Sequence, residues 1–330
     1  MTSAACPRAA VSIVVNTYNG ALYLNECIAS ILALKGPFDL EIIVIDDAST
    51  DETRAVVSGF RDPRIRFLRH EINRGAAAAI NTAFAVASGE FIARIDYDDR
   101  YLPEFLVRAV AALQDDPAVG LVCGAVEMID THGQRCGHAS PTQHGISIGA
   151  ADHFVSLLRH NFITAPTILG RATAWRTALP VPDGLNFADW YISLKMAEIS
   201  KICVLDSVLA EYRVHPAGMH STMVLDGTGE RMSNRILSYF LAGNNVRDDV
   251  RLLANQIRAR HAAEWGDRYF GSNMNDDARR CYLCALKYAP VSVLGHRGRV
   301  RRSLGLILGR QRYEALKNWV LRAAGKSATD

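Results

Sequence analysis

The sequence predicts an α/β protein: a doubly wound, mostly parallel sheet flanked by helices, followed by a helical, basic C-terminal extension. Three observations predict it. Short β-branched runs alternate with helix-periodic segments over roughly the first hundred residues. Each strand-like run ends in a polar loop, and past Met223 the apolar spacing is helical to the end of the chain. The reading places a sheet-based domain at 1–225 and the helical extension at 226–330.

The elements follow in order. Val11 to Val15 ("VSIVV") and Glu41 to Ile45 ("EIIVI") are nearly uninterrupted apolar runs, as parallel strands buried on both faces require. Leu24, Cys27, Ile28 and Ile31 recur at helical spacing between them. "STDE" offers Ser49 as a helix N-cap with Glu52 three residues on, opening a helix to about Phe60. A strand at Ile65 to Leu68, the alanine-rich helix "GAAAAINTAFAVA" and a strand at Phe91 to Ile95 complete the repeat.

A helix from beyond Leu102 to Leu113 and a strand at Val119 to Cys123 come next. The polar stretch to about Ile148 reads as irregular hairpins or a mobile loop. Ala188 to Ala197 reads as an amphipathic helix, "VLDSVLAEYRVH" as a strand ending at His215, and Arg279 to Pro290 as a helical hairpin.

Composition excludes several classes. With 330 residues, 49% hydrophobic and 22% charged, the chain is neither disordered nor fibrous. No apolar run approaches the ~18 residues of a membrane span, and the opening lacks a signal-peptide core, which together predict a cytoplasmic protein. Seven cysteines at irregular spacing fit reduced thiols, and the pair Cys281 and Cys284 fits two buried helix positions rather than half a zinc site. The net charge of +3 is uneven, because Lys287 to Asp330 carries ten Lys and Arg against two acidic residues. A phosphate-bearing surface and a plain solvated helix face are the rival readings of that tail.

In a doubly wound sheet, ligands bind beyond the carboxyl ends of the strands. The loops there are "NTYNG", "DDAST", "EINRG" and "DYDDR". They contain neither a dinucleotide fingerprint nor a P-loop. Phosphates would therefore be held by another device, and a divalent cation gripped by the carboxylates of "DYDD" would serve.

Taken with "FADWYISLKMA" and "YRVH", these loops make the segment from about residue 11 to 221 resemble the family 2 glycosyltransferases of the GT-A fold. The resemblance implies an inverting transfer of a sugar from a UDP-, dTDP- or GDP-linked donor to a saccharide or lipid-linked acceptor. It implies Mn²⁺ or Mg²⁺ as cofactor. Thr17, Tyr18 and Asn19 match the segment lining the base and ribose pocket, Asp47 the residue that binds the base, and Arg74 a contact to base or diphosphate. Asp98 matches the metal ligand of the D-x-D signature, Asp96 a ribose and metal contact, His215 a further metal ligand and Arg213 a phosphate contact. Asp189 matches the catalytic base.

A divalent cation would stabilise the charge gathering on the departing diphosphate, while a base takes the acceptor proton from the opposite side. Asp99 is expected to serve the dipole of the next helix instead. The loop carrying His215, His220 and Ser221 is expected to close over bound donor.

The sequence departs from the family pattern at Asn16 (commonly Pro), Ile80 (often Arg) and Ala188 (usually Glu). These departures keep open a second reading, a catalytically silent nucleotide-sugar-binding scaffold of a polysaccharide-assembly complex. Nucleic acid is not an expected partner, since no basic and aromatic residues interleave on a recognisable binding module. The basic tail with Trp319 would suit peripheral contact with an anionic membrane.

Overall fold

The computed structural model describes residues 9–185, 187–215, 219–242, 246–290 and 305–306. It divides into two compact units, Met1–Pro216 and Ala217–Asp330. In the first, the order is β1 (Ala9–Thr17), α1 (Leu24–Leu32), β2 (Phe38–Asp46), α2 (Thr53–Gly59), β3 (Ile65–Arg69), α3 (Ala76–Phe84) and β4 (Phe91–Asp96). Then come β5 (Arg100–Tyr101), α4 (Phe105–Asp115), β6 (Val119–Ile129), β7 (Arg135–Ala139), β8 (Gly149–Ala151), α5 (Phe154–Arg159), β9 (Leu169–Arg171), α6 (Ala172–Ala178), α7 (Ala188–Ala197) and β10 (Lys201–Arg213).

One sheet runs β3-β2-β1-β4-β9-β6-β10-β5, with β7 beside β6 and β8 beside β10. β3, β2, β1 and β4 are parallel neighbours. Strands without solvent on either face must be apolar throughout, and in β1 every residue from Val11 to Thr17 is buried. β9 slots antiparallel between β4 and β6. β10 returns parallel to β6, with register shifts between Val204, Val208 and Ala210. The core gathers Ile13, Val15, Leu24, Ile28, Phe91, Phe105 and Leu106, all without exposed surface, between the sheet and α1 and α4.

Several local expectations are corrected. α2 starts at Thr53 with Glu52 at its N-cap and no side-chain cap, because Ser49 is engaged in the preceding turn: its hydroxyl donates to Asp46. Asp99 does not face a helix start. α4 begins at Phe105, and Asp99 Oδ1 instead accepts the Arg213 amide at 2.9 Å. Of the two readings of the polar stretch after Cys123, the hairpin holds: β6 continues to Ile129 and pairs with β7 with an irregular register.

The second unit is helical: α8 (Met219–Leu225), α9 (Thr228–Leu241), α10 (Asp248–Gly271) and α11 (Asn275–Tyr288). The chain reverses at Ser272–Met274, with Asn273 at φ 59°, rather than within Arg279–Pro290. Buried Tyr269 and Tyr282 fill its interior, and Cys281 is buried on α11 while Cys284 is half-buried. Among the described residues no helix is long and apolar enough to cross a membrane. The basic tail from 291 on, including Trp319, lies outside the described residues save 305–306, as do the side chains of His220 and Ser221.

Candidate active site

The site forms where β1, β2, β3 and β4 end, and its loops are stitched to one another by side chains. Asn19 adopts φ 51°, donates its backbone N–H to Ser49 Oγ at 2.8 Å, and accepts the Thr50 amide on Oδ1 at 2.9 Å. Gly20 N–H reaches Thr53 Oγ1 at 2.9 Å, and Ala21 N–H reaches Asp51 Oδ2 at 3.0 Å. Asn19, expected at the ligand, thus spends its amide oxygen on joining two loops. Tyr18 is 44% exposed, leaving its ring available as a platform. Thr17 is buried, and its hydroxyl has no hydrogen-bond partner among the described residues.

The two aspartates after β2 are both interior. Asp46 accepts the Ser49 amide at 2.9 Å and the Arg69 guanidinium at 2.7 Å. Asp47, 4% exposed, has Oδ1 beside His70 Nδ1 at 2.6 Å and the Arg74 amide at 2.9 Å, while Oδ2 takes the Gly75 amide at 2.7 Å. The expected base contact therefore differs from what the carboxylate does: both oxygens hold the Asn73–Gly75 turn, whose Gly75 sits at φ 85°. This turn presents Arg74 on the surface. Ile80, where the family often has Arg, is fully buried in α3.

At the end of β4, Asp96 Oδ1 accepts Arg94 Nη2 at 2.6 Å. The Asp96 side chain keeps 35% exposure, yet the protein packed around it strips enough water to push its carboxyl above the usual range. Arg94 opposes that rise, and the charges of Asp98 and Asp189 add to it. Asp98 Oδ2 lies 2.8 Å from His215 Nε2, so β10 delivers the histidine onto the D-x-D turn. Asp99 is 1% exposed, and burial first, then Asp98 and Asp96, raise its carboxyl well above the ordinary carboxylate range.

Arg213 departs from the expected phosphate contact. It is 2% exposed, and its guanidinium donates to Asp98 O, Asp130 O and Glu26 Oε2 at 2.9, 3.0 and 2.8 Å. Among the described residues no three His, Cys, Asp or Glu side chains converge as a metal-binding group. Asp98 and His215 make a pair of such side chains on the D-x-D turn.

Asp189 lies in the first turn of α7, half-buried, with Asn161 Nδ2 3.4 Å from its Oδ2. Phe187, not Asp189, is the N-cap of that helix. Its charge acts on Asp96, and Tyr212, whose hydroxyl pKa is raised first by burial, also feels Asp99, Asp96, Asp189 and Asp98. The base candidate and the D-x-D carboxylates therefore all act electrostatically on one phenol.

Sequence reasoning missed Arg94, His70, Asn161 and Asn16. Arg94 left a signal, a charge inside an otherwise apolar strand. Asn16 is 7% exposed, in register with Asp96 on the neighbouring strand, and both its amide atoms lack a partner among the described residues.

A doubly wound sheet that gathers carboxylates at its strand ends, with an aspartate on a later helix facing them, defines a nucleotide-sugar transferase architecture of the GT-A type. The Glycosyl transferase family 2 profile matches residues 12–172. An uncharacterised glycosyltransferase of Nostoc sp. is 30% identical over 258 residues, 73% of this chain and 79% of that relative. The chain belongs to glycosyl transferase family 2.

Two solved structures share the fold. S. aureus TarS 1–349, solved with UDP-GlcNAc, superposes with a TM-score of 0.64 at 18% identity, covering 96% of this chain and 93% of that one. The mannosyltransferase PcManGT from Pyrobaculum calidifontis, solved with GDP-Man and Mn²⁺, gives 0.60 at 19% identity, covering 95% and 88%.

Proposed function

We propose that the chain transfers a sugar, with inversion, from a nucleoside-diphosphate donor to a hydroxyl of a saccharide or lipid-linked saccharide. The observation that carries this reading is that the charge of Asp189 bears on the Asp96–Asp98 turn, where Asp96 pairs with Arg94 and Asp98 lies beside His215. The donor class is supported by the nucleotide sugars bound in the two solved structures.

Asp98 and His215 fit a divalent cation. The carboxylate oxygen suits either Mn²⁺ or Mg²⁺ and the imidazole nitrogen favours Mn²⁺ over Mg²⁺, while a donor diphosphate brings further oxygens, so two or three protein ligands suffice. Mn²⁺ in one solved relative of the fold supports this assignment. When bound, the cation would neutralise the departing diphosphate, with Asp96 beside it. The rest of the work belongs to the chain itself. Asp189 takes the proton from the acceptor hydroxyl, held in orientation by Asn161. Tyr18 supports the base, and Arg74 carries positive charge to the donor.

The transfer chemistry is assigned to residues 1–225. The basic extension is assigned to the anionic membrane face, where a lipid-linked acceptor would be found. Liposome sedimentation of protein ending at Ala289 should show weaker binding than the full chain.

Release of free nucleotide from a panel of UDP-, dTDP- and GDP-linked sugars tests the reading. One donor should be hydrolysed slowly in Mn²⁺ and spared in EDTA, because a transferase leaks to water without acceptor. No release from any donor would favour a silent scaffold.

A further inference from the structure

Arg213 is the last residue of β10 and binds three separate segments of the chain. Its backbone N–H donates to Asp99 Oδ1 at 2.9 Å and its Nε to the Asp98 carbonyl at 2.9 Å, so it clamps the D-x-D turn at two consecutive residues. Nη1 takes the Asp130 carbonyl beyond β6, and Nη2 takes Glu26 on α1. The guanidinium also lies 4.2 Å from the centroid of the Tyr23 ring, and that ring is 5.6 Å from the ring of His215.

Both members of the Asp98–His215 pair are thus held by this one side chain, Asp98 through its carbonyl and His215 through Tyr23. Turning Arg213 toward a ligand would break its three guanidinium hydrogen bonds. Hydrogen bonds made by a charged group are the strong ones, so the side chain stays where it is.

We propose that Arg213 is a positioning residue for the divalent cation: it sets Asp98 and His215 to receive the metal and does not touch the nucleotide. This rests on the transferase reading above. A buried arginine suits the task because its rigid fork can satisfy two carbonyls and a carboxylate at once, which lysine cannot.

Calorimetric titration of the full chain with UDP, dTDP and GDP, each with Mn²⁺ and each in EDTA, tests the assignment. For the nucleotide that wild type binds best, Arg213→Met should weaken binding with Mn²⁺ by about tenfold or more and leave binding in EDTA within about twofold. An unchanged affinity with Mn²⁺ overturns the proposal. Equal losses with and without metal also overturn it, because they mark a direct phosphate contact.

Should Arg213→Met fail to fold, Glu26→Gln removes one anchor at a carboxylate that is 46% exposed. It should weaken binding about threefold with Mn²⁺ only, and wild-type behaviour in that variant overturns the proposal. If wild type binds no nucleotide under either condition, the transferase reading itself fails.

Discussion

The Asp47 carboxylate and the His70 ring meet at 2.6 Å inside the protein, and this contact anchors the turn that carries Arg74. The other ring nitrogen lies 2.9 Å from Thr82 Oγ1, so His70 ties the end of β2 to α3 as well. With an ionised Asp47 as acceptor, Nδ1 is the donor. His70→Ala leaves one oxygen of a buried carboxylate short of a partner. Chemical unfolding should show a loss of about 1–3 kcal/mol, and calorimetry weaker donor binding.

Asp189→Asn keeps the shape of the side chain and removes the base. Transfer should fall by about two to four orders of magnitude, while donor affinity stays within about twofold of wild type. Unaltered turnover would remove Asp189 from the mechanism.

Asp98→Asn and His215→Ala each delete one candidate ligand. The Mn²⁺ concentration for half-maximal nucleotide release should rise about tenfold or more in both, the equivalent of roughly 1.4 kcal/mol. A variant that reaches full rate at the wild-type metal concentration would show that its residue does not hold the cation.

Gly20→Ala should damage the cleft directly. A Cβ at that position would lie 2.2 Å from Thr17 Oγ1 and 2.8 Å from the Tyr97 ring. Relief requires one of those side chains to move into the space that a donor would use. A stability loss of about 1–3 kcal/mol, together with weaker donor binding, is expected from unfolding and binding measurements.

Asp99 makes a prediction with a definite sign. Burial holds its carboxyl protonated to higher pH in the fold than in the unfolded chain, so above the ordinary carboxylate range the folded state binds more protons there. That contribution to stability is present at low pH and is lost as pH rises toward the raised folded value. Asp99→Asn should flatten the decline in unfolding midpoint as pH rises above the ordinary carboxylate range, relative to wild type. Parallel profiles for the two proteins would contradict this.

The parallel half of the sheet was legible because a strand covered on both faces has to be mostly apolar, as Val11–Val15, Ile42–Ile45 and Phe91–Ile95 are save for Ser12 and Arg94. α7 was legible to its end residues but not as an amphipathic helix, since eight of its ten residues are buried. β5, β8 and β9 were not: runs of two or three residues carry no periodicity and exist through their neighbours. The loops of the site were legible as a set, because four strand ends carry polar residues where a parallel sheet puts its ligand.

Which side chains face that ligand was harder to read. Asn19, Asp47 and Arg213 stand in motif positions, yet their polar atoms are taken up by segments 23 to 187 residues away in the chain. Such partners are settled only when the loops meet. Conversely, Arg94 was written into a buried strand in plain view, and a buried guanidinium needs a carboxylate beside it. Asp96, two residues on, was the evident candidate.

β10 crosses beside β6 with irregular register between Val204 and Ala210 before it reaches the site. Side chains of a strand alternate between faces, so a slip of one residue exchanges them. The number of residues in that irregular stretch therefore decides whether His215 meets Asp98 or turns its back on it. Deleting one residue there would leave every recognisable motif of the chain intact and still take the histidine from Asp98. For this protein, spacing far from the site determines the Asp98–His215 contact as much as the two residues themselves.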